Sequence, residues 1–154
     1  MTAVTATTGR TSSRLTPGNV ALLSLAWGLV CMIAINLLTN RPHHDNIASI
    51  DAMVGTVIVV TAVAVYVVMR LVWANPARSA TAALVLGIVT IVSLVMWWSL
   101  APAVFGIGAF ALALHARNES VRSAKCTVAF VLGSIGIAVS VVFVIGSVVS
   151  FLTS

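Results

Sequence analysis

The chain has 154 residues, of which 60% are hydrophobic and 7% charged, with a mean hydropathy of +1.15. A soluble domain carries about 25% charged residues, so this composition excludes a water-soluble globular protein and leaves too few ionisable groups for most acid–base chemistry. The net charge of +5 comes from basic residues scattered in ones and twos at the ends of apolar runs, the pattern of a membrane orientation signal and not of a nucleic-acid-binding face.

Residues 1–16 are rich in Thr and Ser, carry Arg10 and Arg14, and have almost no large apolar side chains. Such a segment cannot bury enough surface to offset chain entropy, and it reads as a disordered cytoplasmic tail. Thr16-Pro17 fits a helix cap followed by proline at the first helical position. The apolar run 20–39 then spans about 30 Å as a helix, one hydrocarbon thickness. It is longer than a signal-peptide core and no A-x-A-like site follows it, so it reads as a retained transmembrane helix. A polar loop, 40–51, ends in Asp51, a plausible cap for a second run over 52–73. That run is rich in β-branched residues, but in lipid the backbone must bond internally, which makes it a helix. Asn75-Pro76 ends it, and Ser79 can cap the next. Residues 17–78 thus form a hairpin of two transmembrane helices.

Residues 80–116 are one apolar stretch, about twice too long for a single crossing. Pro102, with Trp97-Trp98-Ser99 before it, divides the stretch into a helix over 80–98 and a short one over 101–116, joined by a tight turn. The short helix is at the lower limit for spanning and is either a thin crossing or a re-entrant half. The charged loop 117–125 leads to a last apolar run, 126–152, long enough to span with tilt, after which the chain ends. The fold class is therefore all-α: a polytopic transmembrane bundle of about five helices. Alternating the loops places seven of the eight basic residues on one side, which the positive-inside rule makes the cytoplasm, with the N-terminus in and the C-terminus out.

Within 79–154, Leu86-Gly87-Ile88, Pro102, Gly106–Ala113, His115-Ala116-Arg117 and Ala129–Gly136 form a sequence texture that resembles the DUF4190-type membrane domain of actinobacteria and other bacteria. Lys125-Cys126-Thr127 departs from it, since that family favours small residues and glycine there. The resemblance implies a helical fold and a bacterial inner-membrane location, and no chemistry. Seven arginines against one lysine, with abundant Ala and Val, likewise suggest a GC-rich bacterial genome.

Small residues recur four apart as Ala83/Gly87, Ala109/Ala113, Ala129/Gly133, Gly136/Ser140 and Gly146/Ser150. This spacing lets helix backbones approach closely. It serves either packing within the bundle or an interface with another chain, and the last helix, with three pairs, is the best candidate for the latter. His43, His44 and Asp45 are the one cluster with metal-ligand chemistry, but adjacent histidines in a loop rarely converge on one ion, and a solvated loop is the simpler reading. No metal or other cofactor is expected. Asn36 is the strongest polar group within an apolar run and calls for a hydrogen-bond partner. Trp73, Trp97 and Trp98 read as interfacial anchors. Arg117, Arg122 and Lys125 form a basic cytoplasmic loop that suits anionic headgroups or serves as the topology signal. Cys31 and Cys126 read as free thiols.

No helix centre carries Asp, Glu, Lys or Arg, which counts against an ion-coupled transporter. The leading expectation is a non-enzymatic integral membrane protein: a small accessory or scaffold subunit packing against a larger membrane complex or against its own copies. The rivals are a pore-forming or phage-type protein (holin-like or superinfection exclusion) and a homo-oligomeric transporter of small molecules or lipids. An enzyme built on His43, His44 and Asp45 ranks last. The expected partners are the lipid bilayer and other membrane chains or itself, with no nucleic acid.

Overall fold

Thr16 begins the first helix as a cap: its hydroxyl accepts from the Asn19 amide at 3.2 Å, and Pro17 follows where a missing N–H costs nothing. The computed structural model of the chain describes residues 16–38, 47–119, 121 and 123–153. Five α-helices follow one another: α1 (Pro17–Leu38), α2 (Ile47–Val72), α3 (Pro76–Ser93), α4 (Ala101–Asn118) and α5 (Ala124–Thr153), with a 3-10 segment, Leu94–Ser99, between α3 and α4. The described residues contain no strand, the valine-rich α2 included, as expected where lipid cannot satisfy backbone groups. Four segments are long and apolar enough to cross a membrane: Pro17–Ala34, Ala52–Val72, Pro76–Met96 and Ala124–Ser150. The expected disordered tail lies, but for Thr16, outside the described residues.

Two expected caps are corrected. Asp51 does not cap α2, which starts at Ile47; no glycine or proline interrupts 47–51, so the helix runs back one more turn. Ser79 does not cap α3. Asn75 does, its side chain accepting from the Ala77 and Arg78 amides at 3.2 Å each, and Pro76 starts the helix. Ser79 is buried and donates instead to the Val72 carbonyl at 2.8 Å. It thereby satisfies one of the carbonyls that the end of α2 leaves without an intrahelical partner.

Successive helices run antiparallel. At one end, here called proximal, Val20 of α1, Val65 and Met69 of α2, Ala83 of α3, Leu112 of α4 and Ala129 of α5 belong to one buried apolar cluster. At the distal end Cys31, Val54, Ile58 and Leu100 pack with Phe143 and Val144. The centre is α4, at 18 residues as short as α3. α4 packs against all four others, and eleven of its residues are buried, eight of them Ala or Gly. The tightest packing joins α3, α4 and α5, whereas α2 and α3, though consecutive, barely touch.

Small side chains make this central position possible. A Cβ placed on Gly133 would lie 2.8 Å from the Gly106 carbonyl oxygen and 3.0 Å from the Phe110 nitrogen, and one on Gly106 would lie 3.0 Å from the Gly133 oxygen. One on Gly136 would meet the Thr90 methyl group and the Pro102 carbonyl. The turn into α4 is made at Leu100, the only described non-glycine residue with positive φ (58°). This left-handed conformation costs a residue with a Cβ roughly 1–2 kcal/mol, and it is held by burial of the Leu100 side chain among Cys31, Val54 and Ile58.

Because the obstacles at Gly133 are backbone atoms, Gly133→Ala is expected to destabilise the bundle by about 1–3 kcal/mol, as overpacking does. Gly146→Ala has no atom to meet within 4 Å and should leave stability unchanged or slightly raised. Thermal unfolding of both variants in detergent checks the contrast.

Candidate functional site

Two regions carry the polar and small residues that chemistry or recognition requires. The first lies at the proximal end, where α2 turns into α3 and α4 ends. Trp73 and His115, 42 positions apart, stack with ring centroids 3.9 Å apart and planes 15° from parallel. The His115 Nε2 lies 3.0 Å from the Trp73 carbonyl oxygen. A carbonyl only accepts, so Nε2 carries the proton and donates. On the next face of α4, the Arg117 guanidinium lies 5.7 Å from the centroid of the Phe130 ring, within cation–π range. Phe130 in turn packs on Phe110 at 4.5 Å. These contacts tie the α2–α3 turn, α4 and α5 together at the proximal end. Trp73 is half-buried in this stack, so lipid contact is not its whole environment.

Of the basic loop, Arg117 and Lys125 are exposed, and Arg122 lies outside the described residues. Trp97 and Trp98 fall in the 3-10 segment at the distal turn; their side chains, like that of Asn36, are outside the description. His43, His44 and Asp45 also lie outside the described residues. Among the described residues, no group of three or more His, Cys, Asp or Glu side chains could hold a metal ion. Cys31 and Cys126 are free and buried.

The second region is the small-residue face of α5, and its contacts change along its length. Ala83, Gly87, Ala129, Gly133, Gly136 and Ser140 are all buried. Gly87 faces Leu132 and Ala129, and Gly133 and Gly136 face α4. Ser140 accepts from the Trp27 indole nitrogen at 3.1 Å and donates to the Ile137 carbonyl at 2.7 Å, joining α1 to α5. These six residues therefore pack within the chain, and their faces are closed to another protein. Gly146 and Ser150 differ. Both are exposed, and no atom of the described residues lies within 4 Å of where a Gly146 Cβ would stand. Apart from Ser147, every described residue of 145–153 is exposed.

The Trp73–His115 pair was not foreseen, since nothing local marks two residues from different helices as stacking partners. The only signal was that His115 lies in an otherwise apolar run at the same end of the bundle as Trp73. Comparisons with protein-family models, curated proteins and solved structures find no match to this chain.

Replacing His115 by Phe keeps an aromatic ring but removes the hydrogen bond, and should cost about 0.5–1.5 kcal/mol. His115→Ala loses the stack as well, with a further cost of about 0.5–1.5 kcal/mol. A graded fall in unfolding temperature, from wild type through Phe to Ala, is the expected result.

Proposed function

We propose that this integral membrane protein is a small, non-enzymatic accessory or scaffold subunit of the bacterial inner membrane. In this reading it packs against a larger membrane complex, or against its own copies, through the distal part of α5. Arg70, Arg78, Arg117 and Lys125 would put the proximal end in the cytoplasm by the positive-inside rule. The helices α3–α5 would correspond to a DUF4190-like unit.

The observation that carries the proposal is Gly146. A glycine within a helix costs about 1 kcal/mol relative to alanine, and packing among the described residues offers nothing to offset it, because none of their atoms lies within 4 Å of where a Cβ would stand. Ser150, one turn on, extends the same small face. Small-xxx-small faces offset such a cost when another helix docks on them.

The test is co-purification of tagged protein from its native membrane in mild detergent. Wild type should bring down a companion chain, or a second copy, at constant ratio. Gly146→Leu combined with Ser150→Leu should abolish that association while helix content stays that of the wild-type chain. Association that survives the double substitution would remove this surface from consideration. Wild-type chain recovered alone and as a monomer would end the scaffold reading.

A further inference from the structure

The weakly packed pair α2 and α3 encloses a groove of about 630 Å³. Its existence follows from the central position of α4. Val65 of α2 and Leu86 of α3 both close on Gly108 of α4, where a Cβ would stand 2.6 Å from the first and 3.4 Å from the second. Each helix is thus drawn to α4, and the two are left apart from each other beyond their connecting turn.

Val68, Val72, Ala82, Val85 and Leu86 make the wall apolar, and Arg78, in the first turn of α3, is the one charged residue among the described residues that line it. Among the described residues, no carboxylate lines the groove. The neighbouring outer faces, at Val67, Leu71, Val85 and Ile88, are exposed and apolar, so the groove opens toward the acyl-chain region of a bilayer. Arg78 follows the Asn75 cap by three residues, which sets its guanidinium where the chain turns between two apolar helices, at headgroup depth on whichever side of the membrane that turn lies.

We propose that this groove seats one anionic phospholipid, with an acyl chain along the Val68–Val72 and Ala82–Leu86 walls and the phosphate on Arg78. The charge pattern selects the occupant. An apolar wall ending in a single uncompensated cation complements a molecule with a long apolar chain ending in a single anion. A soluble anion would leave the wall uncovered, and a zwitterionic lipid brings its own cation toward Arg78.

The experiment is native mass spectrometry of the full chain released from detergent. It is titrated with palmitoyl-oleoyl phosphatidylglycerol and, separately, with phosphatidylcholine bearing the same chains. Phosphatidylglycerol should be retained in preference. Arg78→Gln should weaken its retention about fivefold, the equivalent of one interfacial basic residue. Val85→Trp, an exposed wall position whose larger ring fills the groove, should also weaken it, and Arg70→Gln, exposed on α2 outside the groove, should leave it unchanged. Thr81→Trp, also exposed and lining the groove, replaces Val85→Trp if that variant loses helix content. The proposal is overturned if the two lipids bind equally or if Arg78→Gln has no effect. It is equally overturned if Arg70→Gln weakens retention as much as Arg78→Gln, which would mean diffuse surface charge, or if the groove-filling variant binds as wild type. Competition by glycerol phosphate at the same concentration as the lipid would assign the site to a free phosphate and overturn it too.

Discussion

With only hydrogens in place of side chains at Gly106 and Gly133, α4 and α5 bring their backbones into direct contact. A Cβ on either glycine would lie 3.0 Å or less from the opposing carbonyl oxygen. The rest of the architecture depends on that thinness. A helix can be approached from four sides only if its side chains are small, and the buried surface of α4 is mostly Ala and Gly. The other four helices carry the large apolar side chains outward, as Leu22, Val60, Val92 and Val142 show by their exposure. In water this would be an inverted protein. In lipid, where helices gain nothing by hiding apolar surface from the tails, close packing supplies the attraction, and the place where packing can be closest becomes the centre.

Polar side chains obey the same solvent. Ser24, Thr90 and Ser134 donate to the carbonyl four residues back, at 2.8–2.9 Å, and no described buried side-chain nitrogen or oxygen lacks a partner. Such back-bonding stabilises little by itself, but it removes the several kcal/mol that an unpaired hydroxyl would cost in hydrocarbon. Among the described residues, Trp27 reaches beyond its own helix to Ser140, Ser79 to Val72 and His115 to Trp73. The first joins α1 to α5, and the other two fasten the α2–α3 turn, from inside and from α4. The two helices on either side of that turn pack little on each other, and the bonds hold them at the turn itself.

Much of this was legible from apolar run length alone, because a chain that must satisfy its backbone in lipid has few alternatives to helices of about 20 residues. Thr16-Pro17 was readable as a cap because its signal is local. The α3 cap was misplaced by four residues, from Asn75 to Ser79, since both residue types can cap and only the tertiary contact of Ser79 with Val72 separates them. The role of α4 was less visible. Shortness suggested a marginal or re-entrant helix, whereas its richness in Ala and Gly, the property that puts it in the centre, is ordinary for any one membrane helix. The small residues of α5 were readable as a packing face, but the length over which α4 would cover them depends on where α4 begins. That point is the turn at Leu100, a left-handed leucine that no propensity predicts.

Placing a thin helix at the centre also leaves the outer ring imperfectly closed, and two of its clefts are not equivalent. Between α1 and α5 there is a groove of about 350 Å³, floored by Ile107, Phe110 and Ala111 of α4, whose polar neighbours Trp27 and Ser140 are already bonded to each other. It offers a hydrocarbon chain nothing that the bilayer does not offer everywhere. The α2–α3 groove ends at Arg78 instead, so one end of any occupant is distinguished from the other. An apolar cavity retains hydrocarbon without choosing among chains, whereas an apolar cavity with one fixed charge at headgroup depth sets the orientation of what it holds and discriminates by headgroup. The weak α2–α3 packing that looks like a defect of the bundle thus combines the two features that selective lipid recognition requires, an apolar wall and a fixed charge at one end of it.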